Sequence, residues 1–136
     1  MSASRLLSAL LPLAAACGNL AEPHYTSPTQ LTLKVGQEVQ VDSVLSLGLL
    51  GVPADSRCPM AADCVWAGDG AVWIAYAAGT GPSHPDTLHT TLDPKAAKFA
   101  GFRITLLELQ PYPVTSGSIP QSQYAATFRI QRLSLF

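Results

Sequence analysis

The residues best suited to chemistry lie in one short segment, Asp55 to Gly68, which reads DSRCPMAADCVWAG. It holds two of the three cysteines of the chain, Cys58 and Cys64, together with two aspartates, an arginine and a tryptophan. In an oxidising compartment the two thiols would form a disulfide. With histidine or methionine they could instead hold a soft metal ion such as copper. The segment therefore supports two chemistries, a covalent bridge or a metal site.

The spacing favours the disulfide. Five residues separate Cys58 from Cys64, which is wider than the usual spacing of paired zinc cysteines. A metal site would also need His84, His89 or Met60 as further ligands, and both histidines are expected to be ordinary surface residues. We therefore expect a small local disulfide ring, no bound metal and no cofactor. In the loop-entropy model such a ring stabilises the fold by about 2.4 kcal/mol at most.

A disulfide would make this segment a rigid surface loop, and rigid loops on β scaffolds commonly carry binding residues. The candidate binding residues are its charged and large side chains, namely Asp55, Arg57, Met60, Asp63 and Trp66. Arg57 could make a charge-assisted contact with Asp55, or the two could form a solvated pair that adds little stability. Trp66 is expected to pack over one end of the core, with exposed ligand stacking as the alternative.

No catalytic motif stands out in the sequence. Ser83, His84 and Asp86 contain the residue types of a hydrolase triad, but no nucleophile-elbow glycine pattern surrounds them. The aspartates of the loop have no feature that would pair them for glycoside cleavage, and no glycine-rich phosphate loop is present. We therefore expect the protein not to be an enzyme.

The elements that would position the loop are β-strands. Apolar and polar residues alternate with a period of two in most of the chain, which is typical of half-buried strands. The alternating runs begin near Leu31, Val39, Val72, Phe102 and Tyr124, and a denser apolar run covers residues 44–52. Six or seven strands separated by turn residues predict a single antiparallel β-sandwich, immunoglobulin-like, or a small barrel.

Two further local features carry expectations. Residues 96–98 offer the single stretch that could form a helical turn, after the turn that starts at Asp93. Tyr124 follows a turn at the head of the last strand, where it is similar to the tyrosine corner of immunoglobulin-like domains, or is an ordinary core aromatic.

The N-terminal residues have the pattern of an export signal. Arg5 precedes an apolar stretch, residues 6–16, that ends in three alanines directly before Cys17. Eleven residues are too few to span a bilayer, which takes about 20, but they suit a signal peptide. The pattern resembles the bacterial lipobox, in which a cysteine after a small residue is acylated and becomes the mature N-terminus. Here Ala14 stands where the lipobox usually has leucine, and ordinary cleavage after Ala-x-Ala is the alternative.

Lipidation of Cys17 predicts the organisation of the whole chain. Residues 1–16 would be the signal peptide, residues 17–29 a lipidated tether, and residues 30–136 one folded domain. The membrane would then be a partner through palmitate or related acyl chains, and the two remaining cysteines would form an even pair. Gly18 follows Cys17 in place of the aspartate that resembles an inner-membrane retention signal. We therefore expect an outer-membrane lipoprotein that faces the periplasm or the cell surface.

Charge excludes one class of partner. The chain carries a net charge of -1, and removal of the leader with Arg5 would make the mature chain more negative. Nothing in this composition predicts nucleic-acid binding by electrostatic attraction.

The cysteine segment also resembles a family. Its two halves, Asp-Ser-Arg-Cys-Pro at residues 55–59 and Cys-Val-Trp-Ala-Gly at residues 64–68, are similar to a motif of uncharacterised small bacterial exported lipoproteins. The resemblance extends weakly over most of the mature chain. It implies export and brings no established activity.

Two hypotheses about function follow. The first is a lipid-anchored binding or structural protein of the cell envelope, whose ligand is an envelope component or protein. The second is a periplasmic hydrolase inhibitor, in which the rigid loop 55–66 would enter an active-site cleft as a preorganised plug. An inhibitor would expose Arg57, Met60 or Asp63 at the tip of the loop, whereas a scaffold would fold the ring flat against the sheets.

Overall fold

The computed structural model describes residues 28–134, so the predicted signal peptide and Cys17 lie outside the described residues. Eight strands form within this range: β1 (Thr29–Lys34), β2 (Glu38–Gln40), β3 (Leu45–Asp55), β4 (Gly70–Ala78), β5 (His84–His89), β6 (Ala96–Phe99), β7 (Phe102–Gln110) and β8 (Ala125–Arg132). A 3-10 helix of three residues, Gln121–Gln123, precedes β8. None of the helical structure in this range is long and apolar enough to cross a membrane.

The strands form two four-stranded antiparallel sheets, in the orders β1-β8-β7-β6 and β2-β3-β4-β5. The predicted all-β sandwich is therefore confirmed, and the two sheets do not close into a barrel. Strands β2 to β5 follow one another in one sheet and β6 to β8 in the other, where β1 pairs with β8, so the chain passes between the sheets after β1 and after β5. The strand number exceeds the expected six or seven because β6 forms where no strand was expected.

The expected helical turn at residues 96–98 is wrong. These residues begin β6, in which Ala97 pairs with Ile104 of β7 and lies buried. Tertiary pairing at the sheet edge outweighs the helix propensity of two alanines, which is small without a longer helix to propagate it.

The core lies between the sheets and takes alternate residues from both. Its largest fully buried side chains come from six of the strands: Phe128, Leu33, Leu45, Leu47, Leu49, Ile74, Leu88, Ile104 and Val72 all lie below 2% exposure. Burial of this apolar surface is the main force that holds the sheets together, at roughly 25 cal/mol per Å² removed from water.

A side-chain bridge joins the two sheets where β3 leads into the cysteine loop. The register of β3 against β4 shifts twice after Leu49, so the backbone of Val52 is not used by that ladder. The Gln121 amide replaces the missing partner, because it accepts from the Val52 N–H at 2.8 Å and donates to the Val52 carbonyl at 2.9 Å. The end of β3 is thereby held against the segment that precedes β8.

Candidate functional site

The cysteine loop, residues 56–69, connects β3 to β4. Its two arms continue the strand pairing for a short distance: Ser56 N–H donates to the Asp69 carbonyl at 2.7 Å, and Cys58 N–H donates to the Ala67 carbonyl at 2.8 Å. Gly68 allows this approach, because it has φ +71° and a Cβ there would lie 1.8 Å from the Ser56 carbonyl oxygen. The base of the loop is therefore closed by backbone bonds.

A buried ion pair lies at this base. The Arg57 guanidinium donates to both carboxylate oxygens of Asp55, from Nε at 2.8 Å and from Nη2 at 2.7 Å. Tyr124 Oη donates to the same carboxylate at 2.8 Å. The side chains of Arg57 and Asp55 are only 5% and 11% exposed. The pair therefore forms the charge-assisted contact, and the solvated alternative is wrong.

Arg57 also reaches the opposite sheet. Its Nη1 donates to the Leu109 carbonyl at 2.6 Å and its Nη2 to the Pro111 carbonyl at 2.9 Å. The guanidinium carbon lies 5.3 Å from the centre of the Tyr112 ring, within reach of a cation–π interaction. Arg57 thus fastens the cysteine loop to the segment that follows β7.

Protonation states at this cluster follow from its contacts. Burial acts to raise the pKa of Asp55, but hydrogen bonds from Arg57 and Tyr124 outweigh it, so this pKa lies below its usual value. Burial and the bond to the Asp55 carboxylate raise the pKa of Tyr124 to about 12. At neutral pH the cluster therefore consists of a carboxylate, a guanidinium and a protonated phenol that donates to the carboxylate.

A second polar cluster holds the other arm of the loop. Asp69 Oδ1 accepts from the backbone N–H of Thr91 at 2.9 Å and of Leu92 at 3.1 Å, and Oδ2 accepts from His89 Nδ1 at 2.6 Å. Burial acts to raise the pKa of Asp69, but the hydrogen bonds from His89 and the backbone outweigh it and lower the pKa. Asp69 therefore fastens the loop to the turn after β5.

The disulfide between Cys58 and Cys64 is present, as predicted. Its ring packs against the chain after β7, because Met60 N–H donates to the Pro113 carbonyl and Ala61 N–H to the Val114 carbonyl, both at 3.0 Å. Backbone bonds to a neighbouring segment therefore hold the ring in addition to its own covalent closure.

The largest exposed side chains of the loop are apolar. Met60 is 68% exposed, Trp66 is 51% exposed and Val65 has no protein cover at all, with an exposure of 105%. We call these three residues the loop tip. Tyr112 and Val114 of the neighbouring segment are also exposed, so the apolar surface extends beyond the loop. Apolar side chains presented together in this way mark interaction surfaces.

The structure separates the five candidate binding residues into two groups. Asp55 and Arg57 join in the buried cluster, whereas Met60, Asp63 and Trp66 lie exposed. The expected packing of Trp66 over the core is wrong, because this side chain is 51% exposed. Arg57 instead lies buried against the end of β7.

A shallow cleft lies at the base of the loop, and Arg57 lines part of it. It has a volume of about 270 Å³ and its wall also includes Thr90, Thr91, Glu108 and the exposed Tyr112 ring. Met60, Val65 and Trp66 do not line this cleft.

Sequence reasoning missed four residues that matter here: Val65, Asp69 as a loop anchor, His89 as its partner, and Tyr124 as the partner of Asp55. Only Val65 had a local signal, since it is an apolar residue directly after a cysteine in a surface loop. The other three act through contacts between residues 13 to 69 positions apart, which no local pattern indicates.

Within residues 28–134, no three histidine, cysteine, aspartate or glutamate side chains lie close enough together to hold a metal ion. The thiols that the copper alternative required are joined in the disulfide. His89 is engaged by Asp69, and the His84 ring lies 5.0 Å from the Phe99 ring.

No family model, no curated protein and no solved structure matches this chain.

Proposed function

We propose that this chain is a lipid-anchored, non-catalytic binding protein of the cell envelope, and that it binds a protein partner through the loop tip. The observation that carries the proposal is the exposure of Met60, Val65 and Trp66 on a loop held at both arms. A preorganised apolar loop loses little conformational entropy when it binds, which favours affinity. Tryptophan and methionine are also among the residue types enriched at protein interfaces.

The polar clusters support a structural role for the buried charges. Arg57 and Asp69 direct their hydrogen bonds to the protein itself, and in residues 28–134 no buried side-chain nitrogen or oxygen lacks a partner. Groups committed in this way stabilise the loop, which leaves recognition to the apolar tip.

The binding proposal is tested by paired substitutions. Val65→Thr with Trp66→Thr removes apolar surface from the tip, and Leu50→Thr with Trp73→Thr removes similarly exposed surface from a strand face. We expect photo-cross-linking in envelope extracts to give one discrete protein adduct with the native chain and the strand variant, and none with the tip variant. Equal adducts from both variants would show that the tip is not the binding surface.

The lipid anchor is supported by the lipobox-like leader and by cysteine pairing. Once Cys58 and Cys64 are bonded to each other, Cys17 is the one cysteine left of the three. We expect Cys17→Ala to move the protein from the membrane fraction to the soluble periplasmic fraction when membranes are washed at high salt, which removes electrostatic attachment, with loss of the acyl mass at the N-terminus. A native chain without acyl groups would contradict the anchor.

Hydrolase inhibition is the second candidate. Two of the three side chains that an inhibitor would expose, Met60 and Asp63, do lie exposed on the disulfide ring. The test is titration of the purified chain into assays of envelope peptidases and glycosidases. We expect a saturable loss of one activity that Met60→Ser weakens and Leu92→Ser, a change at another exposed apolar residue, does not. Unchanged activities at all concentrations would exclude inhibition of those enzymes.

A further inference from the structure

The cations of the folded body are segregated between the two sheets. Strands β2, β3, β4 and β5 contain no lysine or arginine, whereas the strands of the other sheet contain five. One of the five, Arg132, pairs with Asp42 at 2.6 Å. The other four are distributed one to each strand.

These four side chains form what we call the cationic face, the solvent side of the β1-β8-β7-β6 sheet. Lys34, Lys98, Arg103 and Arg129 are all exposed, and in residues 28–134 none of them lies in an ion pair. Glu108 is the one carboxylate that these strands place on the same side. Four cations against one carboxylate give the face a charge of +3, and because the whole chain carries -1, the remainder carries -4.

Three cations of this face are neighbours on adjacent strands. Lys98 lies directly opposite Arg103 in the pairing of β6 with β7. Arg103 pairs with Gln131, and Arg129 pairs with Thr105, so the two arginines are diagonal neighbours on β7 and β8. Like charges directly opposite each other destabilise a sheet. An anionic surface laid over the face would relieve this repulsion.

The face is broad. Four strands at about 4.8 Å spacing span roughly 14 Å across the sheet. Lys34 lies four residues along β1 from Gln30, the partner of Arg129, which corresponds to about 13 Å along the strands. Between the cations lie hydroxyl groups, including Thr32 and Thr127, which are hydrogen-bonded to each other at 2.8 Å. The charges are thus spread over a plane rather than gathered in a groove.

We infer that the cationic face docks on the surface of a bilayer that contains anionic lipids. A planar array of mobile phosphate headgroups can adjust to cations spread over a plane, and each lysine or arginine at such a surface strengthens binding about fivefold, equivalent to about 1 kcal/mol. Nucleic acid fits less well for two reasons. The protein chain is net negative, and the phosphate backbone of a nucleic acid is held best by a positive groove or stripe. The inference goes beyond the proposed function and does not require the acyl anchor.

The test uses residues 17–136 with Cys17→Ala, which keep the whole described body, so that neither the apolar leader nor acyl chains can contribute. Flotation is measured with vesicles of phosphatidylglycerol and phosphatidylcholine in equal amounts and with phosphatidylcholine alone. Binding to a labelled single-stranded oligonucleotide is measured separately by fluorescence anisotropy. Lys98→Gln with Arg103→Gln removes two charges from the face. Lys95→Gln with Arg132→Gln removes two charges from elsewhere, so both variants have the same net charge.

We expect binding to the anionic vesicles that weakens as salt is added, with little binding to neutral vesicles. The face variant should lose about 25-fold in partition coefficient, about fivefold per cation removed, and the control variant should stay within about threefold of the parent. Equal losses in the two variants, equal binding to neutral vesicles, or binding to the oligonucleotide without binding to vesicles would each overturn the inference.

Discussion

The base and the tip of the cysteine loop differ in a way that reverses the usual distribution of residue types. At the base, the charged side chains of Arg57, Asp55 and Asp69 are buried. At the tip, Val65 and Trp66 are exposed to solvent. Buried charges and exposed apolar side chains are the informative departures in a folded protein. The two parts of this loop therefore have different roles. Its buried charged residues hold the loop in place, and its exposed apolar residues are left available for a partner.

The largest expected effect is at the base. Arg57→Met leaves the Asp55 carboxylate buried without its cation and leaves the carbonyls of Leu109 and Pro111 without a donor. We expect the free energy of unfolding to fall by about 3–5 kcal/mol, measured by urea denaturation. Arg132→Met is the matched control, because it breaks an exposed pair with Asp42 and should cost about 1 kcal/mol or less. If the free energy of unfolding fell by similar amounts in the two variants, the ion pair at the base of the loop would be no more important than an exposed pair.

The second prediction concerns Asp69 and acid. The pKa of Asp69 is lowered in the folded state, so its contribution to stability is complete above the unfolded pKa of about 3.9 and is lost as pH falls through the folded pKa. We expect Asp69→Asn to cost about 1–3 kcal/mol at neutral pH. The acid decline of stability should also be shallower in this variant. Thermal melts between neutral pH and pH ~2 measure both effects, and Asp93→Asn, in an exposed turn, should change neither. If the stability of Asp69→Asn fell with pH as steeply as that of the native chain, the stabilising role of the Asp69 carboxylate would be contradicted.

The disulfide should matter less than either anchor. Cys58→Ser with Cys64→Ser opens a ring of seven residues, which is expected to cost about 2 kcal/mol or less while the sandwich remains folded. Circular dichroism and thermal melts check this outcome. The Met60 and Ala61 N–H groups still donate to the carbonyls of Pro113 and Val114. Unfolding of the whole domain would therefore show that the ring contributes more than its local closure.

The smallest effect on stability is expected at the tip. Val65→Thr with Trp66→Thr removes side chains that are largely in solvent already, so the free energy of unfolding should change by about 0.5 kcal/mol or less. The same variant is expected to lose partner binding. A large loss of stability would mean that the tip packs against the body and is not a free surface.

Much of the fold could be predicted from local patterns. Alternation around Leu33, Ile74 and Phe128 indicated strands whose apolar faces meet in one core, and these residues are fully buried. The disulfide followed from two close cysteines behind an export-like leader. The helical turn at residues 96–98 failed because edge pairing with β7 outweighs the propensity of so short a stretch.

Trp66 and Arg57 show why the candidate site was harder to predict. Hydrophobicity alone placed the tryptophan inside and left the burial of the arginine open, whereas the structure exposes the tryptophan and buries the arginine. Burial of Arg57 depends on carbonyl groups 52 and 54 residues further along the chain. Their position is set by where β7 ends in the opposite sheet, which the sequence around Arg57 does not contain.

Local sequence was enough to predict the all-β class and the disulfide, because period-two alternation and cysteine spacing act over a few neighbouring residues. Packing of the two sheets decides which loop residues are buried anchors and which are exposed, and it gathers nearly all the exposed cations of residues 28–134 on one sheet. A charge can be buried only where distant backbone and side-chain groups satisfy it, and those groups come together only when the two sheets pack.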